Sequence, residues 1–161
     1  MNIFWHKLDK KAIIPTKRDE DAGFDVYTIE NDVVLEPFSK HLFRTGLSVA
    51  LSKGWWLMAF DRGSTGSKGI HTHCGVVDNG YRGEIFICLS NDTNFPVKFT
   101  TAVDKVIFQD NVLYYPTSKA IAQLIPVLQP EVDSVEVDDK DWELVSGNTE
   151  RGATKLGESG K

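Results

Sequence analysis

The feature that most constrains this chain is its punctuation. Short runs rich in β-branched and aromatic residues recur along it: "FDVYTI", "VVLE", "HLFRTGLSVAL", "GWWLMAF", "EIFICLS" and "FPVKFT". Gly, Pro, Asn or Asp separates each from the next, the pattern of strands bounded by turns. Regular short strands of this kind predict an all-β domain of the sandwich, jelly-roll or closed-barrel type. The best helical candidate, Ser118 to Leu128, is broken by Pro126 and rich in β-branched residues, so it is read mostly as strand.

The 161 residues suffice for one compact domain, with 41% apolar and 25% charged residues in the range of soluble globular chains. No basic start followed by an apolar run is present, so no secretory leader is expected. No apolar stretch approaches a membrane span, so no membrane association is expected. Cys74 and Cys88 are the only cysteines, which argues against a disulfide framework and for a cytoplasmic setting. The net charge of −5 disfavours nucleic-acid binding but permits a local basic pocket for a small phosphorylated ligand.

Composition shifts after Leu128. From Gln129 to Glu150 there are eight acidic residues against Lys140 alone. "VDSVEV" could add a last edge strand, and the remainder reads as a solvated linker. The terminal "RGATKLGESGK", Arg151 to Lys161, has too few apolar groups to form a core element. It reads either as a disordered end or as an arm that orders on an anion, since glycines let backbone amides approach oxygens closely.

Two internal stretches carry candidate chemistry. "RGSTGSKGI", Arg62 to Ile70, concentrates Arg, Lys, hydroxyls and glycines, the composition of an oxyanion cradle. Its spacing is not that of a Walker A loop, and a polar surface loop would look similar. "GVVDNGYRGEI", Gly75 to Ile85, sets Asn79-Gly80, a common hairpin signal, between β-branched runs. His71, His73 and Cys74 do not have the ligand spacing of a zinc site and read as packed or surface residues. Trp55-Trp56 reads as core or interface packing, and Asp19 to Asp21 as a solvated turn.

Taken in order, "DAGFDVYT", "RGSTGSKGI", "GVVDNGYRGEI", "KAIAQLIPV" and "RGATKLGESG" resemble the five ordered motifs of the homotrimeric dUTPase family, from about Asp21 to the end of the chain. "DKVIFQDN" also resembles the fourth motif, but I-A-Q-L is the closer match, which makes about Thr100 to Tyr115 an insertion. The resemblance implies a jelly-roll-like β-barrel of the β-clip kind over residues 1–137, an acidic linker over 138–150, and a flexible glycine-rich arm over 151–161. It implies a homotrimer whose chains share three active sites, each site taking an arm from a neighbour, with dUTP hydrolysed to dUMP and pyrophosphate.

Residue by residue, the resemblance gives Asp78 the role of water-activating carboxylate. A carboxylate near the α-phosphorus can take the proton of an attacking water while cationic groups absorb charge. Backbone groups of the third motif, about Cys74 to Tyr81 with Gly75 and Val77 among them, would pair with uracil. The Tyr81 ring would exclude a ribose 2′-hydroxyl. Arg62, Gly63 and Ser64 would contact phosphates, Gln123 the α-phosphate region. Arg151, Leu156, Gly157 and Ser159 would close over the nucleotide. Mg²⁺ is the implied cofactor, carried by the triphosphate, with Asp25 acting through its hydration shell or by positioning neighbours.

The chain departs from the family pattern at five places, among them Lys155 and Glu158 in the arm in place of a Gly and a Ser. Gly63 stands where a Ser is usual, Asp61 where a Pro is usual, and Leu156 where a Phe usually stacks on the base. Asp61 puts an anion beside a phosphate site. These departures keep open a catalytically weak, nucleotide-binding or regulatory relative. A dCTP deaminase, which shares the fold, would need a catalytic Glu where this chain has Cys88.

Overall fold

The computed structural model describes residues 1–73 and 75–149. Its first compact unit, Met1–Pro130, is built of thirteen strands and one helical turn. In chain order these are β1 (Ile3–Lys7), β2 (Phe24–Val26), β3 (Val33–Leu35), β4 (Lys40–Arg44), β5 (Leu47–Leu51), β6 (Trp55–Phe60), α1 (Gly63–Gly66), β7 (Ile70–His73), β8 (Val76–Val77), β9 (Phe86–Asn91), β10 (Val97–Thr100), β11 (Ile107–Gln109), β12 (Val112–Pro116) and β13 (Ala122–Leu128). They assemble into sheets ordered β1-β5, β11-β12-β10-β3, β2-β13-β6-β8 and β4-β9-β7. The all-β expectation holds, and Ser118 to Leu128 contributes a strand.

Alternation along the strands makes the core. On β6 and β13, Leu57, Ala59, Ala122 and Leu124 face inward and are buried, while Trp56, Met58, Phe60, Gln123, Ile125 and Val127 take the opposite, less buried positions, as the two-residue period of a strand requires. Phe43, Phe99 and Tyr115, all fully buried, form a continuous aromatic seam with ring centroids 4.6 and 5.3 Å apart. Each such ring contact adds about 0.5–1.5 kcal/mol beyond area burial.

The segment expected to be an insertion is structured. β11 and β12 form an antiparallel hairpin, and β12 then runs parallel to β10. Asp110 and Asn111 turn the hairpin with φ of 50° and 59°, the left-handed pair that a two-residue hairpin demands.

The Asn79-Gly80 signal gives a different result from the simple hairpin it suggests. Val76–Val77 does not fold back on Phe86 and its neighbours; it pairs with β6, while β9 pairs with β4 and β7. The third motif is the wide head of a hairpin whose stems are β7 and β9. Its two sides diverge because each has a stronger partner elsewhere: the Gly75 carbonyl accepts from the Ala59 amide at 2.7 Å, and the Ile85 amide donates to the Leu47 carbonyl at 2.8 Å.

The segment from Glu131 onward is a separate unit. The possible edge strand at "VDSVEV" does not form. Within the stretch read as linker lies α2 (Asp139–Ser146), a helix with no buried residue. Asp138 caps it, its Oδ1 accepting from the Asp141 amide at 2.8 Å, and Gly147 ends it at φ 61°. Asp139 and Asp141 in the first turn complement the positive end of the helix. No helix among the described residues is long and apolar enough to cross a membrane.

Candidate active site

Arg62 lies two residues beyond the end of β6 and caps α1, the single turn formed by "GSTG". Thr65 closes this turn: its hydroxyl donates to the Arg62 carbonyl at 3.0 Å and accepts from the Arg62 amide at 3.2 Å. The guanidinium lies bidentate on Asp25 of β2, Nε to Oδ1 at 2.8 Å and Nη2 to Oδ2 at 3.0 Å. Nη1 donates to the Ser64 hydroxyl at 3.2 Å and to the Ala120 carbonyl at 3.4 Å. Every edge of the fork is thereby oriented.

Asp25, Arg62, Gly63, Ser64 and Gln123 line one cleft of about 640 Å³ with Lys17 and Arg18 at its side. Gln123, not Gln109 of the alternative fourth motif, takes part. Its Nε2 donates to the Asp61 carbonyl at 2.7 Å. Gly23 makes its place, because a Cβ there would come within 2.8 Å of Gln123 Oε1. Gly63 has open space around it, so the missing serine hydroxyl reflects the residue and not the room available.

Tyr115 lies behind this cleft and was not singled out from sequence. Its hydroxyl donates to the Ala120 carbonyl at 2.9 Å, the same oxygen that receives Arg62. Burial pushes the phenol above its ordinary value, against the opposing pull of Ser64 and Arg62.

Asp61 does not face the cleft as an uncompensated anion. Its Oδ2 accepts from His71 Nδ1 at 2.7 Å, and its Oδ1 from the Thr72 hydroxyl at 2.8 Å and the Thr72 amide. Partial burial works to raise its pKa, but the donors from His71 and Thr72 outweigh it and hold the carboxyl below its ordinary value. His71 thus serves as a hydrogen-bond donor, and no group of metal-binding side chains occurs among the described residues.

The third motif holds Asp78 elsewhere. Asp78, exposed, lines a cavity of about 280 Å³ with Trp56, Val76 and Gln129, which shares no residue with the Arg62 cleft. The turn is braced on both sides. Asn79 Nδ2 donates to the Ser52 and Trp55 carbonyls at 2.9 and 2.7 Å, and Arg82 Nη1 to the Asn79 and Tyr81 carbonyls at 2.6 and 2.8 Å. Tyr81 donates its hydroxyl to the Glu84 carbonyl at 2.8 Å. Its ring crosses Gly83 so closely that a Cβ there would lie 2.5 Å from the phenol oxygen. Glu84 receives the Gly46 amide at 2.9 Å and the Arg44 guanidinium.

Between the two cavities runs a third, of about 590 Å³, lined by Met58, Phe60, Asp61, Thr72, Gly75, Val76, Gln123 and Ile125 among others. It meets the Arg62 cleft at Gln123 and the Asp78 cavity at Val76. Phe60 and Val76 on this strip are 43% and 59% exposed. Of the remaining expected site residues, Gly75 lines this strip just before β8, and Val77 on β8 is buried in the core. Arg151, Leu156, Gly157 and Ser159, with Cys74, lie outside the described residues.

This division into an arginine-hydroxyl cleft and a separate carboxylate-bearing turn goes with an all-β fold that recurs in nucleotide hydrolases of one kind. Residues 9–112 match the dUTPase family model, and the chain belongs to the dUTPase family. It is 33% identical to the deoxyuridine 5′-triphosphate nucleotidohydrolase of Nautilia profundicola over the full length of both chains. With the Nocardia farcinica enzyme of the same description it shares 36% identity over 96% of this chain and 82% of the other. Among solved structures it is similar to the Staphylococcus bacteriophage 80alpha dUTPase with dUPNHPP, at TM-score 0.73, 27% identity and 99% coverage of both chains.

Proposed function

We propose that this chain hydrolyses dUTP to dUMP and pyrophosphate, in homotrimers whose active sites are assembled across subunits. Family membership supports the reaction. The observation that supports the shared site is the separation of Asp78 from the Arg62 cleft on one chain. The strip between them offers a partly exposed apolar face, the composition of subunit interfaces. A partner seated there would bring its Asp78 turn to the cleft of the first chain.

In this reading Asp78 accepts the proton of a water attacking the α-phosphorus. The described residues give its carboxylate no hydrogen-bonding partner that would compete. Arg62, with Ser64 and Gln123, receives phosphate oxygens. Asp25 orients Arg62 through both of its oxygens, which makes it a positioning group. That donor set fits a cation carried by the substrate, with Asp25 reached through water. Bound with the triphosphate, Mg²⁺ would neutralise phosphate charge. Tyr81, fixed by Glu84 and Gly83, presents a rigid ring against C2′ of the sugar. The backbone of Gly75 and Val77 reads the base, and the arm with Arg151, Leu156, Gly157 and Ser159 covers the nucleotide.

Pyrophosphate release from dUTP, dCTP, dTTP and UTP tests the reading. Rapid release from dUTP alone supports it. Ammonia release from dCTP, or binding of dUTP without turnover, would replace it with the deaminase or the regulatory alternative.

A further inference from the structure

We propose that Asp61 is a positioning residue for this reaction, its carboxylate fastening the loop that presents Arg62 to the strand that leads into the Asp78 turn. The proposal rests on the dUTPase reading above.

Asp61 immediately precedes Arg62, so whatever fixes its backbone fixes the root of the guanidinium. Three donors from His71 and Thr72 of β7 converge on its carboxylate. A carboxylate offers acceptor sites on both oxygens, and both are engaged by one short strand. The main-chain carbonyl of the same residue receives Gln123 Nε2 at 2.7 Å. Asp61 thus holds the cleft's amide through its backbone while its side chain holds β7. α1 closes over this arrangement because residue 66 lacks a side chain: a Cβ on Gly66 would come within 3.2 Å of Asp61 Oδ2.

From Thr72 the chain runs through His73 and Gly75 to Val76–Val77 and Asp78. The Gly75 carbonyl is tied to the Ala59 amide two residues before Asp61. The end of β6, α1 and the approach to the catalytic turn are therefore one hydrogen-bonded unit. Replacing Asp61 by an apolar residue would leave three donors without their acceptor and loosen the backbone that carries Arg62 and the carbonyl that receives Gln123. The anion that the sequence sets beside a phosphate site is consumed within the protein.

The test compares Asp61→Ala, Asp61→Asn and Thr72→Val in the full-length protein. Steady-state kinetics with dUTP, calorimetric binding of inorganic tripolyphosphate and thermal melting are the three readouts. Asp61→Ala is expected to raise KM for dUTP about 5- to 10-fold with a smaller change in kcat, and to weaken tripolyphosphate binding in parallel. Asp61→Asn keeps an oxygen for Thr72 and should return KM to within about 2-fold of wild type. Thr72→Val removes one donor at nearly constant shape and should raise KM about 2- to 3-fold, which carries the comparison if Asp61→Ala does not fold. Lowered melting temperatures with wild-type KM and tripolyphosphate affinity would reduce Asp61 to a structural anchor and overturn the proposal. So would an Asp61→Asn variant as impaired as Asp61→Ala. Failure of the wild type to release pyrophosphate from dUTP would instead overturn the dUTPase reading, while tripolyphosphate binding would still decide the role of Asp61.

Discussion

Arg62 and Asp25 meet edge to edge, with Nε 2.8 Å from Oδ1 and Nη2 3.0 Å from Oδ2. The pair is about one-third exposed, so solvent screens it and its effect on stability should be small, about 1 kcal/mol or less. Its effect on the reaction should be larger, because it sets where the fork points. Asp25→Asn is expected to lower kcat/KM for dUTP by roughly 10-fold or more while the melting temperature falls only slightly. Pyrophosphate release and calorimetry on the same preparation check this.

Asp78 lies in a turn braced by Asn79 and Arg82 rather than by its own side chain. Asp78→Asn should therefore fold and bind dUTP as the wild type does. Its turnover at saturating substrate should fall by ~100-fold or more, the scale on which a general base acts. Near-normal turnover would remove Asp78 from that role.

The strand pattern was legible in the sequence because it is local: each run needs only its own residues and the turn residues beside it. The resemblance of the ordered motifs to the dUTPase family also implied phosphate-side roles for Asp25, Arg62, Ser64 and Gln123, which line one cleft. What escaped it depends on distant partners. Asn79-Gly80 signalled a simple hairpin, but Ala59 and Leu47 draw the two sides of the turn into different sheets. Asp61 looked like an anion facing phosphate until His71 and Thr72, ten and eleven residues on, took up its oxygens. Tyr115 gave no sign that its hydroxyl would sit behind Arg62. The helix α2 is a different miss. Asp138 as cap, acidic residues in the first turn and Gly147 after the last were all present in the sequence, and the dense negative charge hid them.

Tyr81 is held at both ends, by the Glu84 carbonyl at its hydroxyl and by the bare Gly83 beneath its ring. Tyr81→Ala should narrow the ratio of kcat/KM for dUTP over UTP, since the barrier to a 2′-hydroxyl is steric. Gly83→Ala should do the same with the tyrosine still present, because the added methyl must displace the ring. Competition kinetics with both nucleotides measure the ratio. An unchanged ratio in both variants would contradict the steric account.

Acid stability should report Asp61. Its carboxyl is held below the ordinary value by His71 and Thr72, so its contribution is fully present above the unfolded-state value of about 3.9. It is lost as pH falls from there through the lower folded-state value. In urea unfolding at pH 7 and pH 3, wild type should lose more stability between the two than Asp61→Asn, whose side chain does not titrate. Equal losses would show that the carboxylate is not held in this way.

The central claim is that Arg62 and Asp78 of different chains form one site, and subunit mixing tests it most directly. Trimers of Arg62→Ala and trimers of Asp78→Asn should each be nearly inactive. Co-expressed equally and associating at random, the two chains should form mixed trimers, so that about a quarter of all sites pair an intact Arg62 cleft with an intact Asp78 turn from a neighbour. Recovery of dUTP hydrolysis toward that fraction of wild type is the expected result. Mixed trimers as inactive as either parent would place both residues in a site within one chain and contradict the account.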